Sequence, residues 1–216
     1  MPFLEKIFNF LFPPRCVGCD NFSSYLCQKC RVALPRAKTP GHKEIEALFE
    51  YRAKAMQGLI WKLKYKNARA IAKILGESLY EHMLLKISDL TLFSGAKRFL
   101  LVPIPLSPQK LRLRGFNQME LVGREMEKLD HKKTLEYTPY VLVKTRHTKP
   151  QMEIRKKEER LANVIGSFAV SDIEKVRGQN IILIDDVTTT GATLLEARKV
   201  LLEAGARNVF PIAIAH

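Results

Sequence analysis

The chain has 216 residues, of which 46% are hydrophobic and 27% charged; this is the balance of a folded globular protein and excludes wholesale disorder. That length holds one α/β domain with a small appendage and is short for two ordinary domains. Lysine and arginine total 36 against 22 acids, a net charge of +14, which favours nucleotides, nucleic acid or an anionic membrane surface as partners, the plain alternative being a solvated basic face.

No stretch approaches the roughly 18 apolar residues that span a bilayer. Phe3 to Phe12 is apolar, but Glu5, Lys6 and Asn9 interrupt it and no small-residue cleavage site precedes Pro13-Pro14, so a secretory signal is not expected. The expectation is a cytoplasmic protein with no transmembrane segment. Next in the chain come Cys16-Val17-Gly18-Cys19 and Cys27-Gln28-Lys29-Cys30. Two cysteines three apart aim both sulfurs at one centre, and two such knuckles complete a tetrahedral four-thiolate site suited to structural zinc. Free thiols and two disulfides are the alternatives, and a reducing compartment disfavours the disulfides. A segment this small builds little core, so the metal would supply its folding free energy.

Pro35, Pro40 and Gly41 mark a boundary. We therefore take residues 1–43 as a zinc module with its linker, and 44–216 as the main domain. Within the latter, Ile45 to Tyr51 suits a strand, and Met56 to Tyr65 and Ala68 to Leu85 carry helical spacing. Phe99 to Ile104 is a buried strand closed by prolines. Ser107 caps a helix with Pro108 at its first position, which either runs to Leu129 or breaks at Gly115. Tyr140 to Val143 and Ile181 to Ile184 are further strands. Thr193 to Glu203 is a helix ending at Gly205, and Asn208 to Ala213 is a last strand. Strands alternating with helices imply an α/β fold with a mainly parallel sheet covered on both faces.

The most informative run is Ile181-Ile-Leu-Ile-Asp185-Asp186-Val187-Thr188-Thr189-Thr190-Gly191-Ala192-Thr193. Four apolar residues make a buried strand, and two acids follow at its carboxyl end, where open α/β sheets bind ligands. The small hydroxyl residues and the following helix N-terminus can surround a phosphate, and Gly191 permits close approach. Carboxylates beside such a cradle accept hydrogen bonds from vicinal hydroxyls, so the run suits a 5-phosphorylated ribose. It lacks the lysine of a Walker loop and the three spaced glycines of a dinucleotide site. The plain alternative is that Asp185 and Asp186 merely cap the helix.

This run resembles the phosphoribosyl diphosphate (PRPP) motif of type I phosphoribosyltransferases. The rest of the chain is similar to the competence-associated ComF family, whose members include ComFC and GntX-like proteins. The similarity rests on Cys16 to Cys30, on Leu63-Lys64-Tyr65, and on Val102-Pro103-Ile104-Pro105-Leu106 followed by Arg112-Leu113-Arg114-Gly115-Phe116-Asn117-Gln118. Arg146, Thr148, Gln151, Arg160 and Asn163 extend it. The resemblance implies a type I phosphoribosyltransferase fold with a small zinc module, and a role in natural transformation and DNA uptake. It implies that Asp185 and Asp186 hold ribose hydroxyls directly or through magnesium, and that Val187, Thr188, Thr189, Thr190, Gly191, Ala192 and Thr193 cradle the 5-phosphate. Pro103 and Ile104 would form the pyrophosphate loop, with Lys64 also contacting PRPP. Arg112 and Arg114 would reach the diphosphate in a catalytic role, since a planar guanidinium binds phosphate oxygens in pairs. Residues 144–163, with Arg146, Gln151 and Arg160, would close over the site and exclude water from an oxocarbenium-like transition state.

Tyr51 to Gly76 carries seven basic residues and Leu90 to Met119 five, neither with an acid. Single-stranded DNA is a natural second partner for such charge, with Trp61 and Tyr65 available for stacking. Trp61, however, lies at helical spacing among Leu59, Ile60 and Leu63 and is expected in the core. Three functions remain open: a phosphoribosyltransferase (a pentosyltransferase releasing pyrophosphate), a non-catalytic PRPP-sensing adaptor that binds single-stranded DNA and other DNA-uptake proteins, and a nucleic-acid adaptor that only retains the fold.

Overall fold

The computed structural model describes residues 13–22, 24–38, 44–66, 68–145 and 164–216. The elements are α1 (Gln28–Val32), β1 (Glu46–Phe49), α2 (Lys54–Tyr65), α3 (Ala68–Ser94), β2 (Phe99–Pro103), α4 (Pro108–Arg114), α5 (Gln118–Leu129), β3 (Leu135–Tyr137), β4 (Leu142–Lys144), β5 (Phe168–Val170), α6 (Ile173–Val176), β6 (Asn180–Val187), α7 (Ala192–Glu203) and β7 (Asn208–Ala215). Five strands form one sheet in the order β1-β7-β6-β2-β3, and every pair in it is parallel.

The apolar run Ile181 to Ile184 occupies the central strand, as expected of a strand buried on both faces. Its side chains alternate between two cores. Ile182 and Ile184 join Phe99, Leu101, Leu59, Leu63 and Leu75 on the α2–α3–α5 face. Ile181 and Leu183 join Leu100, Val102, Leu194 and Leu201 on the α7 face. Each such side chain contributes about 1.5–3 kcal/mol when fully buried. The chain leaves β2 toward β3 on one side and leaves β6 toward β7 on the other. The crevice between the carboxyl ends of β2 and β6 is therefore a topological switch point, the place where open sheets take ligands.

Gly115 breaks the helix that follows Ser107. Its φ is +79°, a left-handed conformation that a residue with a Cβ adopts at a cost. Ser107 Oγ accepts from Lys110 N (3.4 Å) to cap α4, and Asn117 Oδ1 accepts from Met119 N (3.0 Å) to cap α5. The expected strand near Tyr140 lies at Leu142–Lys144 and pairs antiparallel with β5 outside the main sheet. Strands β3 and β5 were not expected; three residues are too few to show a period.

Trp61 corrects a second expectation. The buried face of α2 is Met56, Leu59, Ile60 and Leu63; Trp61 lies off that stripe and is 49% exposed, with Tyr65 60% exposed.

The cysteine segment shares the core of the α2–α3 face through Cys16, Leu26 and Leu34. Arg31 pairs with Glu77 and Glu81 of α3 at 3.2 and 2.7 Å. The segment before residue 39 also lines the outer edge of β1: Arg36 bridges Phe49 antiparallel, Ala37 N donates to Leu48 O (3.3 Å), and Glu50 N donates to Pro35 O (2.9 Å). Among the described residues no helix is long and apolar enough to cross a membrane.

Candidate functional site

Asp185 and Asp186 stand at the carboxyl end of β6, beside the end of β2. Pro103 is in register with Ile184. Ile104 N donates to Ile184 O (2.9 Å), and Ile104 O accepts from Asn117 Nδ2 (3.0 Å). Both backbone groups of Ile104 are thus held, so the loop after β2 is fixed against the acid pair.

Successive strand residues face opposite sides, so the two acids have different neighbours. Asp186 is buried on the α2–α5 side. Its Oδ2 accepts from Lys64 Nζ at 2.8 Å and from Gln118 Nε2 at 2.6 Å. Gln118 Oε1 in turn accepts a short hydrogen bond from Arg114. Burial works to lower the Lys64 ammonium, but the charge and hydrogen bond of Asp186 outweigh it and leave the group above its ordinary value. Asp185 Oδ1 accepts from Asp186 N (2.8 Å). Burial, then the neighbouring Asp186 charge, pushes Asp185 up to about 7.

On that second side, Lys144 of β4 is brought down to about 8 by burial and by the like charge of Lys110, with Asp185 pulling the other way. Lys110 and Lys144 thus lie close enough to repel, an arrangement that an anion would relieve.

Beyond the acids, Val187 closes β6 and Thr188 N donates to Ala215 O (2.9 Å). Thr188 is buried and Thr189 exposed. Thr190 Oγ1 accepts from Ala192 N (3.4 Å), and Gly191 (φ +79°) leads into α7 at Ala192 and Thr193. The loop is thus preformed, with a helix N-terminus behind it.

Of the expected site residues, the fold brings together Lys64, Pro103, Ile104, Arg114, Asp185, Asp186 and the run from Val187 to Thr193. Arg112 is exposed on α4 and does not join the network. Arg146, Gln151 and Arg160 lie outside the described residues, as do Thr148, Asn163 and most of the expected closing segment. Gln118 and Asn117 were not expected as site residues, and Lys144 only as the first residue of the expected closing segment. Gln118 and Asn117 stood in the Arg-Leu-Arg-Gly-Phe-Asn-Gln block, and the helix break at Gly115 was the available signal.

The four cysteines form a separate cluster. All four sulfurs lie within 4.8 Å of one another, and no disulfide joins them. Cys27 Sγ lies 3.7 Å from both Cys16 Sγ and Cys19 Sγ, close to the ~3.8 Å edge of a tetrahedron with zinc–sulfur bonds of about 2.3 Å. Gly18 N and Cys27 N both donate to Cys16 Sγ at 3.4 Å. Burial opposes ionisation of Cys16, but backbone N–H groups of Cys27, Gly18 and Cys19 bring it down to about 6. Cys30 is pushed up to about 12, first by Cys27 and then by burial. A Cβ on Gly18 would stand 2.8 Å from Cys30 Sγ, so only glycine lets the knuckle close this tightly. The cluster could hold a metal such as zinc.

A model of the phosphoribosyl transferase domain matches residues 129–216. Competence protein ComFC of Bacillus subtilis is 39% identical over 109 residues, a match spanning 50% of this chain and 40% of that protein. Competence protein ComFC of Streptococcus pneumoniae is 29% identical over 208 residues, covering 95% of this chain and 82% of its own length. Among solved structures, a hypoxanthine phosphoribosyl transferase from Trypanosoma cruzi aligns over 65% of this chain and 64% of its own, with 8% identity and a TM-score of 0.41. The match to ComFC over nearly the whole chain and the domain match at the strand bearing the acid pair carry one conclusion: the chain is similar to the ComFC competence proteins, and its residues 129–216 match a phosphoribosyl transferase domain.

Proposed function

We propose that the crevice between β2 and β6 binds PRPP and transfers its 5-phosphoribosyl group to an acceptor, releasing pyrophosphate, in a protein of DNA uptake. The observation that carries this reading is the acid pair at the switch point, followed directly by a preformed threonine–glycine loop and a helix N-terminus. The loop from Thr188 to Thr193 would take the 5-phosphate, and Asp185 and Asp186 the ribose hydroxyls. Lys110 and Lys144 would face the diphosphate, together with Arg114 once Gln118 releases it. In the transfer, a lone pair of the acceptor forms the new bond to ribose carbon 1 while the bond to the diphosphate oxygen breaks and its electron pair leaves with pyrophosphate. The carboxylates are hard oxygen donors of the kind magnesium takes, so Asp185 and Asp186 fit the cation that would accompany PRPP and stabilise the leaving diphosphate charge. The four-cysteine cluster has no open position and would hold zinc for structure alone.

A second reading, a PRPP-sensing adaptor that binds single-stranded DNA without turnover, is favoured by one observation. The two acid-free basic stretches converge, because Lys64 of α2 and Gln118 beyond α4 meet on Asp186 and Arg114 lies over Tyr65.

Calorimetry with PRPP and magnesium, followed by a pyrophosphate-release assay over a panel of bases, tests both. The parent should bind PRPP, and the Asp185→Asn, Asp186→Asn double variant should lose a few kcal/mol of binding, since charge-assisted hydrogen bonds contribute about 1.5–3 kcal/mol each. Binding with pyrophosphate release supports the transferase. Binding without release across the panel supports the adaptor. Equal binding by parent and double variant would remove the basis of both.

A further inference from the structure

Trp61 and Tyr65 lie one turn apart on α2, off its buried stripe and both exposed. Their ring centroids are 6.0 Å apart and the planes tilt by 49°, so the two rings are not stacked flat on one another. Cations surround them. Lys66 Nζ is 5.4 Å from the Trp61 centroid and the Arg114 guanidinium 5.4 Å from that of Tyr65, while Lys62, beside Trp61 in the helix, sets its Nζ 5.5 Å from the centroid of a third ring, Tyr25. Among the described residues neither Lys62 nor Lys66 has a carboxylate partner, and α2 carries no acid at all. On α4, Leu113 is 89% exposed beside Arg112 and Arg114.

We propose that Trp61 and Tyr65, with Lys62, Lys66 and Arg114 around them, are a stacking platform for the bases of single-stranded nucleic acid. The proposal rests on the second reading above and gives that partner its place. Exposed rings offer a π-face to any base, and the unpaired cations match the phosphates between bases. A duplex hides its base faces and meets only the charge. The platform adjoins the acid pair: Lys64, between the two rings in sequence, holds Asp186, and Arg114 touches both Tyr65 and Gln118. A strand seated there lies at the mouth of the crevice.

The chain has one tryptophan, so its emission reports on the platform alone. The full chain is titrated with oligodeoxythymidylate of about 12 nucleotides, and with a duplex of equal length, at several salt concentrations. Trp61 emission should be quenched by the single strand. Trp61→Ala should weaken binding roughly tenfold or more, Tyr65→Ala by a comparable factor, and Trp61→Phe by only about twofold, since a ring is kept. Charge reversal of Lys62 and Lys66 should weaken binding and flatten its salt dependence by about two counterions. Circular dichroism and unfolding midpoints equal to the parent's establish that each variant is folded. Single-strand binding with unchanged Trp61 emission and no loss in Trp61→Ala would overturn the platform while leaving the adaptor reading standing. Equal affinity for the duplex would overturn it as well, showing that charge alone binds. No binding to either probe at low salt would sink both the platform and the DNA part of the adaptor reading.

Discussion

Asp185 and Asp186 are adjacent in sequence but chemically unlike, because the sheet passes between them. Asp186 continues the face of Ile184 and meets Lys64 and Gln118. Asp185 continues the face of Leu183, where burial and its neighbour's charge raise it to about 7. A folded-state value above the ordinary 3.8 means that folding takes up a proton between the two. Stability contributed by that proton is present at the acid end and is lost as pH rises toward 7, then levels off. Asp185→Asn should remove this slope. In urea unfolding of the metal-free and PRPP-free chain, the midpoint of Asp185→Asn should gain on the parent's from about pH 5 to pH 8, a difference in which the opposite slope of Cys16, present in both chains, cancels. A difference between variant and parent that stays constant over this window would show that Asp185 ionises as readily as an ordinary aspartate. On the proposed function, PRPP with its cation would prefer the ionised pair, and its affinity should climb across the same window.

Elements with a long period were legible in the sequence, and so was the strand-turn-helix of the acid pair, since its meaning lies in consecutive residues. Gln118 and Lys144 were not, because what they touch depends on which strands are neighbours, and the order β7-β6-β2 is a property of the assembled sheet. Trp61 was misplaced because spacing alone does not say where an apolar stripe stops: four residues fill the buried face of α2 and the ring falls beyond them. The break at Gly115 matters most for the site. It ends α4 so that Asn117 can cap α5 and hold Ile104, while Gln118 reaches Asp186. Gly115→Ala should cost about 1–2 kcal/mol through the left-handed conformation, with nothing nearby to clash with the added methyl. The loss is read as a lower denaturant midpoint. A midpoint equal to the parent's would mean that the backbone there relaxes freely into another conformation.

At the scale of the molecule, the cysteine segment and the sheet share one apolar core, so a metal bound to the four sulfurs would stabilise both. Cys16 and Leu26 pack with residues of α2, the helix that carries Lys64. If zinc sits there, stripping it with a strong chelator should lower the unfolding temperature of the whole chain in a single transition. The expected drop is roughly 5 °C or more, as about 2 kcal/mol shifts a protein of this size by 4–8 °C. A separate early transition, with the main one unmoved, would show that the segment folds independently.

The chain between the cysteines and the sheet does more than connect them. Strand β1 is the last strand on its side of a parallel sheet, and its outer backbone groups would otherwise face water as a template for another chain. Pro35, Arg36 and Ala37 lie along that side, closing three backbone contacts with Leu48, Phe49 and Glu50. Proline among them offers no donor of its own for further growth. A fragment beginning at residue 44 would therefore lose a selvedge as well as the four cysteines, and what unravels first would be its freedom from self-association.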